Sequence, residues 1–128
     1  MLQQRALTKY HTPGLWTNTC CSHPRPEEKT QDAAHRRLQE EMGFNCDLQK
    51  AFDFLYRAPF ENGLTEHEFD HVFIGTYENE PVINPEEVNA WIWMDMDDLK
   101  KDIHANPSKY TVWFKIAFPR VYDFVKKI

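Results

Sequence analysis

The sequence predicts one α+β domain, an α/β/α sandwich in which a mixed β-sheet is flanked by helices. The chain has 128 residues, of which 41% are hydrophobic, so it is long enough and apolar enough to bury a core. Strand-like and helix-like runs follow in the order strand, strand, helix, strand, strand, strand, helix, helix. Because no repeat or linker divides the chain, we assign residues 1–128 to a single domain.

Two short strands are predicted at the start of the chain. Residues 2–7 have the pattern of the later half of a strand, with no segment before it. We therefore expect the domain to lack its natural N-terminal segment. Thr12-Pro13-Gly14 is a strong turn signal. Residues 15–21 are aromatic and β-branched enough for a second strand, which His23-Pro24 ends.

The first helix is predicted over residues 31–42. Apolar residues recur at every fourth position from Ala34 to Met42, which is the spacing of one helix face. Thr30 offers an N-cap, and Gly43 stands where a helix often ends in a glycine.

A hairpin and one further strand follow. Residues 52–57 and 66–77 are predicted strands, and Glu61-Asn62-Gly63 between them is a turn signal. Residues 88–94 form the last predicted strand after a loop over residues 81–87.

Two helices are predicted to complete the domain. Asp95 or Asp97 can cap a short helix that runs through Ile103. Thr111 can cap the last helix, which we expect to kink or restart at Pro119, because proline cannot donate the hydrogen bond of a helix interior.

Charge and hydropathy exclude several classes of function. The net charge of −5 leaves no basic surplus to bind nucleic acid or an anionic membrane. No apolar run approaches the length of a membrane span, and the first residues do not have the pattern of a signal peptide. We therefore expect a cytoplasmic protein, a monomer or weak dimer, that binds neither nucleic acid nor a membrane.

The first helix also carries charged residues at a fixed spacing. Taken alone, they are compatible with exposed pairs four residues apart, each worth a few tenths of a kcal/mol. The wider pattern resembles the Nudix box, G-x5-E-x7-R-E-U-x-E-E-x-G-U. The matching positions are Glu28, Arg36, Leu38, Glu40, Glu41, Gly43 and Phe44.

Two box positions depart from this pattern. Ser22 replaces the first glycine, and Arg37 replaces the glutamate that follows the box arginine. In a Nudix hydrolase that glutamate belongs to the carboxylates that hold divalent metal ions, so Arg37 puts a positive charge where a cation should bind. The planar guanidinium group could instead grip a diphosphate.

Paired acids mark the second predicted hairpin strand. Alternate side chains of a strand share a face, so Glu66 and Glu68 project together. Two neighbouring carboxylates repel unless a cation lies between them or one of them keeps its proton. The alternative is an exposed strand end that happens to carry acids.

A thiol and an imidazole lie two residues apart on an extended segment. Cys21 and His23 therefore face the same way, and the imidazole can bind a metal or lower the pKa of the thiol. The alternative is an inert, buried pair of Cys20 and Cys21.

Four motifs together resemble the type 1 isopentenyl-diphosphate isomerases, a branch of the Nudix fold. The resemblance covers residues 1–118. It implies a Nudix-like mixed β-sheet flanked by helices. The motifs are Thr17-Asn18-Thr19-Cys20-Cys21-Ser22-His23-Pro24, Glu66-His67-Glu68, Trp113-Phe114-Lys115, and Leu2-Gln3-Gln4-Arg5 with Lys9 and Pro13-Gly14.

The resemblance implies an isomerase of isoprenoid biosynthesis that interconverts isopentenyl and dimethylallyl diphosphate by protonation and deprotonation. Cys21 and Glu68 would be catalytic, one on each face of the five-carbon group. Tyr56 would support Glu68. Trp113 would stabilise the tertiary carbocation by a cation–π interaction.

It also implies a binding group for the diphosphate. Arg5, Lys9 and Arg37 would hold the diphosphate, and Glu41 would bind the Mg²⁺ ion that bridges to it. An isomerase must keep its diphosphate intact, so Arg37 at a metal-binding position favours binding of the diphosphate over its hydrolysis.

A second divalent metal ion, Zn²⁺, Mn²⁺ or Mg²⁺, would bind His23, Glu66 and Glu68. The family completes this site with two histidines that precede the stretch matching Arg5, and the sequence has no such segment. We therefore expect a weak metal site and impaired activity, in a chain that is a fragment, a mis-started reading or a natural short form.

Two other functions stay open. Glu28, Glu40 and Glu41 also suit a Nudix hydrolase of a nucleoside or prenyl diphosphate. The missing histidines suit a non-catalytic domain that binds a diphosphate without transforming it.

Overall fold

The computed structural model describes residues 1–9, 12–21, 23–59 and 65–127, excluding the side chains of Tyr56, Ala58, Pro59 and residues 65–68. The architecture is α+β, as predicted. A three-stranded sheet has the order β2-β1-β5, and β3 pairs with β4 in a hairpin. The elements are β1 (Leu2–Arg5), β2 (Trp16–Thr17), α1 (Thr30–Met42), β3 (Leu48–Pro59), β4 (Thr65–Gly75), β5 (Val88–Ile92), α2 (Met96–Ala105), a 3₁₀ turn (Pro107–Lys109) and α3 (Val112–Lys126).

The strand pairs are antiparallel, and one isolated parallel bridge joins Trp16 to Tyr110. The hairpin is longer than predicted, because β3 already begins at Leu48. The predicted turn Glu61-Asn62-Gly63 lies outside the described residues.

The predicted strand over residues 15–21 is wrong beyond Thr17. The side chain of Asn18 donates to the carbonyl of Cys20 at 2.6 Å, and the Thr19 hydroxyl donates to the carbonyl of Met1 at 2.5 Å. The local bond of Asn18 competes with a strand ladder, and the Thr19 bond ties the chain to Met1, so the segment that carries the cysteines leaves the sheet as a loop.

The first helix has the predicted end but a different start. Gly43 ends α1 in the left-handed conformation, with φ of 70°, which confirms the predicted glycine cap. The predicted N-cap at Thr30 is wrong, because Lys29 occupies that position without a side-chain cap. The Glu28 amide donates to the Arg25 carbonyl, and this turn leads the chain into the helix one residue early.

The last two helices have the predicted caps. Asp95 accepts hydrogen bonds from the amides of Asp97 and Asp98, and Thr111 accepts from the amide of Phe114. The restart predicted at Pro119 does not occur, because α3 continues to Lys126. Two aromatic contacts, from Phe114 to Phe118 and from Phe118 to Tyr122, pack the helix across the proline.

Two core clusters pack on opposite sides of the three-stranded sheet. Leu2 of β1 packs with Leu99 of α2 and with Phe114 and Phe118 of α3. Val88 of β5 packs with α1 in the other cluster, whose members are Leu38, Met42, Phe44 and Val88. This is the predicted α/β/α layering. Among the helices of the described residues, none has both the length and the apolar character needed to cross a membrane.

Candidate active site

A buried polar pair joins the sheet to the first helix. Gln3 of β1 is 2% exposed, and Glu41 of α1 is 3% exposed. The Gln3 side-chain amide donates to Glu41 Oε1 at 3.0 Å and to the carbonyl of Thr19 at 2.7 Å. One buried amide therefore ties the Glu41 carboxylate to the segment that carries the cysteines.

Burial raises the pKa of Glu41 above its usual value, and the donors Gln3 and Arg37 offset this only in part. A carboxylate out of water is stabilised by added positive charge. The oxygen atoms of Glu41 are thus suited to a hard divalent cation.

Arg37 lies among three carboxylates. Its Nη2 is 2.7 Å from Glu41 Oε2 and 3.3 Å from Glu87 Oε2, and its Nη1 is 3.2 Å from Glu40 Oε2. Burial opposes the charge of Arg37, but these carboxylates outweigh burial and raise its pKa. The guanidinium group therefore remains charged in a partly buried site.

Lys9 joins the same group through Glu87. The Lys9 ammonium forms an ion pair with Glu87 Oε2, the oxygen atom that also contacts Arg37. Two of the predicted diphosphate ligands, Lys9 and Arg37, are thus brought together by a glutamate that the sequence did not single out.

The other box residues form an ion-pair network that Glu40 joins to Arg37. Arg36 holds Glu28 through two bonds of 2.9 Å and contacts Glu40 at 2.8 Å. The hydrogen bond from Arg36 lowers the pKa of Glu28 to about 2. The predicted pairs four residues apart, from Arg36 to Glu40 and from Arg37 to Glu41, are both present.

The two neighbouring cysteines have different surroundings. Cys20 is partly buried, and burial together with the nearby carboxylate of Glu41 raises the pKa of its thiol. Cys21 is exposed. The alternative of an inert, buried pair therefore fits Cys20 and does not fit Cys21.

Trp113 lies against the segment that carries the cysteines. Its indole Nε1 donates to Asn18 Oδ1 at 3.3 Å, and the Asn18 amide donates to the Cys20 carbonyl. The Arg5 guanidinium lies 5.3 Å from the centre of the Trp113 ring. Asn18 thus connects Trp113 to the cysteine segment, and the Trp113 ring in turn contacts Arg5.

The remaining predicted residues belong to the hairpin. The backbone register pairs Tyr56 with Glu68 and Ala58 with Glu66, so Tyr56 and Glu68 are direct cross-strand neighbours. The side chains of Tyr56, Glu66 and Glu68 lie outside the described residues, and so does the box residue Ser22.

Comparison with known proteins identifies the family. A model of the NUDIX domain matches residues 1–114. An isopentenyl-diphosphate Delta-isomerase of Pectobacterium atrosepticum is 48% identical over 97% of this chain and 69% of its own. The chain belongs to the isopentenyl-diphosphate Delta-isomerase branch of the Nudix family.

Other relatives agree with this assignment. Isopentenyl-diphosphate Delta-isomerase 2 of Aromatoleum aromaticum is 54% identical over 94% of this chain and 64% of its own, so this Nudix chain spans less than two thirds of that relative. A crystal structure of a Deinococcus radiodurans protein has a TM-score of 0.68 at 19% identity, covering 82% of this chain and 64% of the other. That likeness shows the fold.

The family generally uses divalent metal ions. The described side chains of this Nudix chain contain no cluster of three or more metal ligands. The side chain of His23 is described and is exposed. The side chains of its predicted partners, Glu66 and Glu68, lie outside the described residues. The Glu41 carboxylate suits a hard cation by chemistry, since its oxygen atoms are buried and a cation would offset the cost of burying their charge.

Three functional candidates were missed from the sequence. Gln3 and Asn18 belong to recognised motifs, but no local pattern marked either residue, because the burial of Gln3 is set by the tertiary fold. Glu87 carried no local signal, because it ends a loop that reaches Lys9 and Arg37 only through the tertiary fold.

Proposed function

We propose that the chain interconverts isopentenyl diphosphate and dimethylallyl diphosphate. The observation that carries the proposal is the proximity of the charged group and the thiol segment. Arg37 pairs with Glu41, and the Gln3 amide donates both to Glu41 and to the Thr19 carbonyl, two residues before exposed Cys21. A diphosphate held by Lys9 and Arg37 would keep its short five-carbon chain beside Cys21.

The reaction adds a proton to one carbon atom and removes a proton from another. Protonation of the terminal methylene carbon gives a tertiary carbocation, and loss of a proton from C2 gives the new double bond. We assign these transfers to Cys21 and Glu68 on opposite faces of the carbon chain. The exposure of Cys21 and the burial of Cys20 support Cys21 as the reacting thiol.

Trp113 is proposed to stabilise the carbocation with its ring. The hydrogen bond from its indole nitrogen to Asn18 orients the ring beside the cysteine segment. An aromatic face attracts a cation within about 6 Å, and the Arg5 guanidinium at 5.3 Å has this relation to the ring. Arg5 is proposed to bind the diphosphate with Lys9 and Arg37.

Glu68 requires support from its neighbours in this proposal. Tyr56 is its direct cross-strand partner in the backbone register, which is consistent with a supporting role for the tyrosine. A second divalent ion at His23, Glu66 and Glu68 would neutralise the paired carboxylates.

Magnesium is proposed to bind at Glu41 and the diphosphate oxygen atoms. The ion would supply charge neutralisation for the diphosphate when bound. Glu41 would orient it, and Gln3 would orient Glu41 through the bond of 3.0 Å.

The ion pairs disfavour the hydrolase alternative. Arg36 engages Glu28 and Glu40, and Arg37 stands where a Nudix hydrolase has a further box glutamate, so two box carboxylates face a guanidinium group and a third is absent. A hydrolase needs such carboxylates to hold the ions that deliver water to the diphosphate.

Conversion of labelled isopentenyl diphosphate in the presence of Mg²⁺ tests the proposal. We expect Cys21→Ala and Glu68→Gln each to lower kcat by about 10²-fold to 10⁴-fold, the usual contribution of one positioned acid or base. Cys46→Ala is the matched control, because Cys46 lies beside Gly75 at the end of β4 and outside the predicted site residues, so it should leave the rate unchanged.

Three results would contradict the proposal. Unchanged rates for both variants would remove the assigned roles. Phosphate release that disappears in Glu41→Gln would indicate a hydrolase, and diphosphate binding without proton exchange into the substrate would indicate a non-catalytic domain.

A further inference from the structure

We propose that Glu87 is a positioning residue that holds Lys9 and Arg37 at one point and thereby forms the diphosphate-binding group. The inference rests on the proposed function, because it takes a diphosphate as the ligand of these two cations. It assigns a role to a residue outside the Nudix box and outside the four motifs of the sequence.

The contacts of Glu87 support this role. Its Oε2 atom accepts both the Lys9 ammonium and Nη2 of Arg37, the latter at 3.3 Å. Two cations that converge on one small region repel each other, and a carboxylate between them offsets that repulsion. Without Glu87, Lys9 would lose its ion pair and gain rotamer freedom, while Glu40 and Glu41 would still hold Arg37, so the two cations would separate.

The backbone holds Glu87 firmly in place. The Ala6 amide donates to the Glu87 carbonyl at 3.1 Å, and the Glu87 amide donates to the Asn84 carbonyl at 3.0 Å. The next residue, Val88, is fully buried in the core. The side chain of Glu87 therefore starts from a fixed point between β1 and α1.

The loop before Glu87 is attached to the end of the box helix. The Val82 amide donates to the Met42 carbonyl, and the Asn84 amide donates to the Glu41 carbonyl, each at 2.9 Å. Gly43 permits this approach, because a Cβ atom there would lie 2.8 Å from Val82 Cβ. The box glycine thus lets the loop that carries Glu87 dock beside Arg37.

The two cations keep donors for a ligand. A lysine ammonium has three N–H donors and an arginine guanidinium has five, more than their carboxylate partners use. The Glu87 side chain is 25% exposed, so a diphosphate can approach this group from solvent. Pre-placed cations lower the ordering cost of binding.

Binding of magnesium pyrophosphate tests the inference by calorimetry, and steady-state kinetics with isopentenyl diphosphate tests it independently. We expect Glu87→Gln to weaken pyrophosphate binding about tenfold and to raise KM by a similar factor, with kcat within about twofold, because the reacting carbons lie away from the cations. Glu86→Gln is the matched control, since it removes the same charge from an exposed neighbour and should leave both values unchanged.

Glu87→Asp separates positioning from charge balance. It keeps the charge but withdraws the carboxylate by one methylene group, so a positioning role predicts weakened binding and a charge-balancing role predicts wild-type binding. Aspartate also preserves the loop's backbone bonds, so Glu87→Asp still distinguishes the positioning role from the charge-balancing role if Glu87→Gln fails to fold.

Wild-type affinity in Glu87→Asp, or unchanged or tighter binding in Glu87→Gln, would overturn the inference. So would a wild-type chain that does not bind magnesium pyrophosphate. A wild-type chain that binds pyrophosphate but does not isomerise would refute the proposed function alone, and the comparison of the Glu87 variants would still decide this inference.

Discussion

Replacing Gly43 by alanine would disturb the contact on which the Glu87 loop depends. Gly43 has φ of 70° and ψ of 20°, and Val82 packs against its Cα. An added Cβ would lie 2.8 Å from Val82 Cβ and 3.0 Å from the Val82 carbonyl carbon. The carbonyl carbon is a backbone atom and the Cβ atom is fixed to the backbone, so the loop itself would have to move.

The expected loss of stability has two parts. A left-handed conformation costs a non-glycine residue about 1 kcal/mol. Displacing the loop would also break the bonds from the amides of Val82 and Asn84 to α1, each with a net value of about 1 kcal/mol. Together these give about 3 kcal/mol, which corresponds to about 11 °C in Tm for a domain of this length.

Thermal unfolding followed by circular dichroism measures this loss, and Gly14→Ala is the matched control. Gly14 also has a positive φ, of 74°, but its added Cβ would meet only the end of the Leu7 side chain, at 3.1 Å. Leu7 is exposed and can move, so we expect Gly14→Ala to lower Tm by only about 4 °C, the cost of the backbone conformation.

Equal decreases in Tm for the two alanine variants would refute the argument, because the close approach of the loop would then contribute nothing. A second readout is the affinity for magnesium pyrophosphate. Gly43→Ala should weaken it by moving the loop that carries Glu87, and Gly14→Ala should weaken it less.

Three other predictions concern the site. Because Arg36 lowers the pKa of Glu28 to about 2, their pair stabilises the fold fully above pH 4.5 and loses this effect as the pH falls toward 2. The urea midpoint of Glu28→Gln should therefore vary less than that of the wild type between pH 4.5 and 2. Asn18→Ala removes the acceptor of the Trp113 indole and should lower kcat about tenfold while pyrophosphate affinity is retained, which separate kinetic and calorimetric measurements check. Magnesium pyrophosphate at 100 times its Kd should raise Tm by about 10 °C, and Glu41→Gln should show a clearly smaller increase in the same melt.

Local signals predicted much of the secondary structure. Gly43 as the end of α1 and Thr111 as the cap of α3 were predictable, because each depends on a residue and its immediate neighbours. The restart at Pro119 was wrong, because aromatic packing between Phe114, Phe118 and Tyr122 lies outside the reach of a local rule. The strand over residues 15–21 was wrong beyond Thr17, because the Asn18 side chain bonds locally to the Cys20 carbonyl and the Thr19 hydroxyl bonds to distant Met1.

By itself, the sequence determined the family and the residue types available for chemistry. Motif spacing along the chain is a linear property, so Arg37, Glu41, Cys21 and Trp113 could be selected without coordinates.

Only the tertiary structure decided which of these groups meet. Glu87 lies 50 residues after Arg37 and 78 residues after Lys9, yet one oxygen atom contacts both cations. Burial likewise distinguished Cys20 from Cys21, which are adjacent in the chain. Coulomb interactions and desolvation depend on distance through space and on exposure to water, and the order of residues specifies neither of them directly.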